Sequence, residues 1–145
     1  YMRLQHHLNI GVFEGERVKK EIGSAFPQLG SDTTEVRGLN VKTGVPMSIT
    51  IGDDEIREAI KEPLTNIVTA IMRALEKIPP ELSADINSNG IYLTGGGALI
   101  RGLDKMIEEK TTLKVFIPED PLLSIVKGAG AVLDDFQNMK KVCIS

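Results

Sequence analysis

The stretch with most to say about chemistry is Leu93-Thr94-Gly95-Gly96-Gly97-Ala98-Leu99-Ile100-Arg101-Gly102-Leu103. Its three consecutive glycines follow a short apolar run and precede a helical pattern. Glycine loses more backbone freedom on folding than any other residue, so such a run usually marks close approach of another group to the backbone. In open α/β sheets ligands bind beyond the carboxyl ends of strands, which is where this run falls. Two phosphate-binding patterns can be tested against it. A dinucleotide fingerprint starting at Gly95 needs glycine where Ile100 stands; a P-loop starting at Gly97 reaches Gly102 but then needs lysine where Leu103 stands. Both fail. The loop suits a flat group, such as an adenine ring laid against bare backbone, better than a triphosphate. A tight strand-to-helix turn that binds nothing accounts for the same residues.

A second constellation is Glu16-Arg17-Val18-Lys19. Glu16 and Lys19 share one face of a helix at this spacing. A carboxylate can accept hydrogen bonds from both hydroxyls of a ribose, and a lysine stem can cover an adenine face while its ammonium stays in water. A solvated charged face is the plainer account. The neighbouring His6 and His7 would point about 100° apart on a helix and make a poor metal pair. Gly128-Ala129-Gly130 suits close helix packing. Asp53, Asp54, Glu55 and Glu58 gather at a helix start, where negative charge is stabilising. No nucleophile–base pair stands out.

The elements that must position these residues can be read from periodicity. Tyr1 to Leu8 reads as the middle of a helix without a cap, which suggests that a natural N-terminal part precedes it; a complete, processed domain is the alternative. Val18, Ile22 and Phe26 at helical spacing predict a helix over 15–26, ended by Pro27. After a polar loop at 28–32, runs at 34–41 and 45–51 predict a β-hairpin through Lys42-Thr43-Gly44, with Gly38 as a bulge and Pro46 near a strand end. A long helix should follow from a cap at Asp53 or Asp54 to about Lys77, roughly 35 Å long, with a stripe of Ile56, Ile60, Leu64, Ile67, Ile71, Ala74, Leu75 and Ile78. Pro63 within it predicts a kink or break. Pro79-Pro80-Glu81-Leu82 opens a shorter helix ending near Asn87–Gly90. Then come a strand at 91–93, a helix at 98–110, a strand at 113–117 and a largely helical 121–136. This alternation predicts a parallel sheet flanked by helices, hence an α/β fold.

Composition sets the outer bounds. The 145 residues are 41% hydrophobic and 26% charged, an ordinary globular balance for one domain. With 17 basic and 20 acidic residues and no basic cluster, a nucleic-acid footprint is not expected. No apolar run is long enough to span a bilayer. A single cysteine, Cys143, rules out an internal disulfide and fits a reducing cytoplasm.

Taken together, these residues resemble the MreB family of bacterial actins. Glu16 to Pro27 looks like the family's nucleoside-contacting helix. Glu35-Val36-Arg37-Gly38 followed by Thr43-Gly44-Val45-Pro46 looks like its small-subdomain hairpin. Glu55-Ile56-Arg57-Glu58-Ala59, Pro79-Pro80-Glu81-Leu82, Asp85-Ile86 and Glu119-Asp120-Pro121-Leu122 also match. The glycine run is similar to the adenosine motif that the actin superfamily shares with heat-shock chaperones and sugar kinases. The resemblance implies an actin-like (ribonuclease H-like) fold. This chain would supply its large domain II with a small subdomain of a β-hairpin plus helices, as a fragment of a two-domain protein. The pieces expected are 1–27 and 89–145 in the large subdomain and 28–88 in the small one. Residues 28–47 would form the tip at which filament neighbours meet. By resemblance, Glu16, Arg17, Val18 and Lys19 contact ribose and base, and Gly95, Gly96, Gly97, Ala98 and Leu99 line the adenine slot. ATP is the implied ligand, with Mg2+ held mainly by a first half that carries the phosphate loops. The implied role is a filament that associates with itself and with cell-shape and wall-synthesis proteins, in the cytoplasm at the inner face of the membrane. A monomeric actin-fold kinase or chaperone-type ATPase is the alternative. One departure bears on the pocket. The family commonly has Thr-Ala where this chain has Glu14-Gly15, and an added carboxylate would weaken nucleotide binding unless it points away.

Overall fold

The computed structural model describes residues 1–27 and 30–136. Cys143 and part of the loop expected at 28–32 therefore lie outside the described residues. Two small sheets and two apolar cores organise the rest. In chain order the elements are α1 (Met2–Gln5), β1 (Leu8–Asn9), α2 (Val12–Ile22), β2 (Thr33–Asn40), β3 (Pro46–Gly52), α3 (Asp53–Leu75), α4 (Pro80–Asn89), β4 (Ile91–Tyr92), a 3-10 turn (Gly96–Leu99), α5 (Leu103–Thr111), β5 (Val115–Phe116) and α6 (Ser124–Asp134).

The hairpin forms as its alternation demands. β2 and β3 pair antiparallel from Thr33↔Gly52 to Leu39↔Pro46, so Pro46 sits at the strand end, where its missing N–H does least harm. Gly38 is not a bulge: it pairs with Met47 in unbroken register. Its missing side chain is explained instead by β1, which pairs with β2 through Leu8↔Asn40 and Asn9↔Leu39. A Cβ on Gly38 would overlap the Asn9 carbonyl oxygen and lie 3.0 Å from the Leu8 side chain. β1 itself was not foreseen. The opening residues form only the four-residue α1 before His7 turns with a positive φ of 50° and the chain enters the sheet.

The first core gathers Met2, Leu8, Val18, Ile22, Val36, Ile51 and Ile56. It draws on residues either side of position 27. The second gathers Leu64, Val68, Leu103 and Ile107, with Ile91, Leu93, Ile100 and Val115 packed against it. α3 serves both cores, and Ile60 packs against each. Its buried stripe differs from the expected one at two places. Val68 is buried, whereas Ile67 and Ala74 are exposed, because the second core lies against the face that carries Leu64 and Val68.

Pro63 does not break α3, which runs from Asp53 to Leu75 as one helix. Pro63 lies on the exposed side, so the carbonyl that its missing N–H leaves free can be met by water. Nor do Asp53 or Asp54 cap it. The N-cap is Gly52, without a side-chain cap. Asp53 is buried and accepts hydrogen bonds from Arg57 at 3.1 and 3.3 Å, while its backbone N–H donates to the Asp32 carbonyl at 2.9 Å.

The parallel sheet is present but short: β4 pairs with β5 through Ile91↔Val115 and Tyr92↔Phe116. α2 stops at Ile22 rather than at Pro27. Beyond it Ser24 forms a parallel bridge with Arg101, and the Ala25 N–H donates to the Arg101 carbonyl at 2.7 Å. Long-range pairing, not Pro27, ends the helix. The partner segment carries Gly102 at φ 73°, and a Cβ there would sit 2.7 Å from Cβ of Phe26.

Two outcomes follow from this packing. Gly102→Ala should destabilise the protein by more than the about 1–2 kcal/mol of left-handed backbone alone, since it also collides with Phe26. Gly97→Ala, with nothing within 4 Å of the added methyl, should change stability little; denaturant titration of the pair checks the contrast. The second outcome concerns Glu14, whose carboxyl is lowered from 4.5 to about 2, mainly by its hydrogen bond from Arg17 and then by the backbone N–H of Arg37. A depressed carboxylate adds stability above its unfolded value and loses it as pH falls toward the folded one. The parent should therefore lose more stability than Glu14→Gln between pH 5 and pH 2, read by denaturant midpoints across that range. Equal losses would remove the assignment.

Candidate functional site

α2 begins at Val12 and presents Glu16, Lys19 and Lys20 on one side, while Val18 and Ile22 face the first core. Opposite stands the glycine segment. Gly95, at φ 78°, turns the chain out of β4, and its N–H donates to the Pro121 carbonyl at 2.7 Å. Gly96 to Leu99 then form a single 3-10 turn, and α5 starts only at Leu103. The helix expected from Ala98 is therefore two elements separated by the left-handed Gly102. The reason is the docking of residues 100–102 against 24–26, which a continuous helix could not provide.

Between these walls lies a cleft of about 530 Å³ lined by Glu16, Lys19, Lys20, Gly96, Gly97, Leu99, Ile100 and Leu122. Five of the expected site residues meet there: Glu16, Lys19, Gly96, Gly97 and Leu99. A Cβ on Gly97 would find nothing within 4 Å, so the cleft floor is open at that point. On Gly96 a Cβ would come to 3.6 Å of the Leu122 side chain. Leu99 is 58% exposed and leaves apolar surface open at the cleft. One wall is thus charged, and the floor is bare backbone flanked by Leu99, Ile100 and Leu122.

Electrostatics on the charged wall are set by proximity. Lys19 Nζ lies 2.6 Å from Glu16 Oε2, and Lys20 Nζ lies 3.5 Å from Oε1. The Lys19 ammonium, first, holds the Glu16 carboxyl below its ordinary range. A carboxylate kept ionised in this way is a ready acceptor for vicinal hydroxyls, and the lysine stems offer apolar cover for a ring.

Four expected residues lie elsewhere. Val18 is buried in the first core. Ala98 is the buried residue of the 3-10 turn and does not line the cleft. Gly95 shapes the turn without lining the cleft. Arg17 turns to the opposite side of α2. It donates to Glu14 at 2.8 and 3.0 Å and to the Glu35 carbonyl at 2.6 Å, and it pairs with Glu21. This cluster clamps α2 to β2. Glu14 joins it by accepting the Arg37 N–H at 3.0 Å, so the added carboxylate faces the hairpin and not the cleft. Helical spacing carries that division: Glu14, Arg17 and Glu21 follow one face of α2, and Glu16, Lys19 and Lys20 another. Lys20, Ile100 and Leu122 also line the cleft. Lys20 was signalled by its i,i+4 spacing from Glu16, whereas Leu122 had no local signal.

The family described as MreB/Mbl protein matches residues 1–141. The cell shape-determining protein MreB of Escherichia coli K12 is 48% identical over 134 residues, covering 92% of this chain and 39% of the relative. The cell shape-determining protein Mbl of Bacillus subtilis is 36% identical over 141 residues, covering 97% of this chain and 42% of the relative. The chain thus spans about two fifths of the curated relatives it matches. Among solved structures, MreB5 of Spiroplasma citri bound to ADP superposes on 100% of the chain and 44% of its own, with a TM-score of 0.90 and 31% identity. A MamK double helical filament shares the fold at a TM-score of 0.67 and 22% identity, over 83% of this chain and 37% of its own. The fold is actin-like, and by sequence and structure alike the chain belongs to the MreB/Mbl family.

Proposed function

We propose that this chain is the adenosine-binding half of a two-domain, ATP-binding cytoskeletal protein that assembles into filaments and organises cell shape. The observation that carries the reading is the cleft itself, in which Glu16 and Lys19 face the bare backbone of Gly96 and Gly97. Its shape and chemistry suit a nucleoside: an acceptor for ribose hydroxyls, aliphatic stems over one ring face, and a glycine floor under the other. The relatives support the choice, since MreB5 of Spiroplasma citri has been solved with ADP and with AMPPNP. Mg2+ would be held mainly by the other half. Among the described residues no group of three His, Cys, Asp or Glu side chains is arranged to hold a metal.

Filament formation, cell-shape function and self-association come from what the relatives are named for and how MamK is seen. Action in the cytoplasm at the inner face of the membrane, alongside wall-synthesis proteins, extends that reading. No described helix is long and apolar enough to cross a bilayer. The two cores suggest a division into a small subdomain around the hairpin and part of a large one around α5. Packing of Val18 and Ile22 against the hairpin favours placing α2 with the small subdomain. On α6, Ile125, Val126 and Leu133 are about two-thirds exposed or more, apolar surface that a second domain could cover. A monomeric kinase or chaperone-type ATPase on the same fold is the competing reading.

In the complete two-domain protein, Gly97→Val should weaken binding of a fluorescent ATP analogue at least tenfold while leaving the thermal midpoint near the parent's. Unchanged affinity would remove the adenine-slot assignment. The complete protein should also pellet on ultracentrifugation in a manner that rises with ATP and protein concentration. A species that stays monomeric under every condition would favour the kinase reading.

A further inference from the structure

Arg101 does not line the cleft, yet it reaches three separate segments. Its carbonyl accepts the Ala25 N–H at 2.7 Å, which fixes the strand-like docking of 100–102 on 24–26. Its Nη2 donates to the Glu21 carbonyl at 2.7 Å, and its Nη1 donates to Asp32 Oδ2 at 2.7 Å. Glu21 lies in the last turn of α2, where carbonyls lack intrahelical partners and a cation complements the negative end of the helix. Asp32 adjoins β2, and its own carbonyl accepts the N–H of Asp53 at the start of α3. One guanidinium fork therefore bridges the glycine segment, the end of α2 and the root of the hairpin.

The positions of these contacts give the bridge a consequence. Ile100, beside Arg101, lines one side of the cleft, and Lys20, beside Glu21, lines the other. The two walls belong to different cores, so their separation depends on whatever spans them. Asp32 and Arg101 are both well exposed, and an exposed ion pair adds little stability. Its value lies in geometry: the planar fork holds two acceptors at a set distance, which a lysine ammonium cannot reproduce.

We propose that Arg101 is a positioning residue that sets the width of the nucleotide cleft and ties it to the hairpin through Asp32. The proposal rests on the nucleotide reading of the cleft, and the test separates the two. In the complete two-domain protein, binding of a fluorescent ATP analogue is compared for the parent, R101A, R101K, D32A, R101A/D32A and G97V, with thermal midpoints measured beside it. R101A should weaken binding about fivefold or more, the range of ordinary site-to-site coupling. D32A, which removes the carboxylate paired with Arg101 and is not itself in the cleft lining, should weaken it in the same direction with its midpoint near the parent's. The double variant should bind no worse than R101A, and R101K should fall between R101A and the parent. Parental affinity in both R101A and D32A, with binding lost in G97V, overturns the strut and leaves the cleft standing. Loss in R101A alone, or additive losses in the double variant, overturns the tie to the hairpin. Parental affinity in G97V removes the cleft reading and the strut with it. If R101A fails to fold, R101K and D32A decide the matter.

Discussion

The architecture depends on how closely residues 100–102 approach residues 24–26. Gly102 permits that approach twice over: its backbone adopts a left-handed conformation, and it leaves the space beside Phe26 free. The hydrogen bond from Ala25 to Arg101 then joins an α2-based core to an α5-based core. α3 ties the same two cores from beneath, with Ile56 in one and Leu64 and Val68 in the other. Two links of different kinds, one backbone pairing and one shared helix, thus join the two cores that carry the cleft walls.

Within α2, one short stretch of charge is divided between two tasks. Arg17, with Glu14 and Glu21, bonds to the hairpin and fastens the helix to β2. Glu16, with Lys19 and Lys20, faces the open cleft. The division is a matter of helical angle, since neighbours in sequence point about 100° apart. It also places Glu14. Its carboxylate is consumed by Arg17 and by the Arg37 N–H, so its negative charge is answered on the hairpin side.

The elements that build the cleft rest on simple residue patterns. A hairpin asks for alternation, a shared helix asks for an apolar stripe, and a bare floor asks for glycine.

Much of this was legible in the residues alone. Alternation at 45–51 gave the hairpin face, and Pro79-Pro80 and Gly90 bounded α4. Other features had no local signature. Nothing near Gly38 announces β1, because the strand that crowds it comes from residues 8–9. Nothing near Pro27 shows that α2 already ended at Ile22, because its terminator lies on the segment around Arg101, far along the chain. Leu122 enters the cleft and Ala98 leaves it for the same reason. Periodicity reports which face of an element is apolar. Which distant segment will cover that face, and how near it will come, is decided only when the two cores meet.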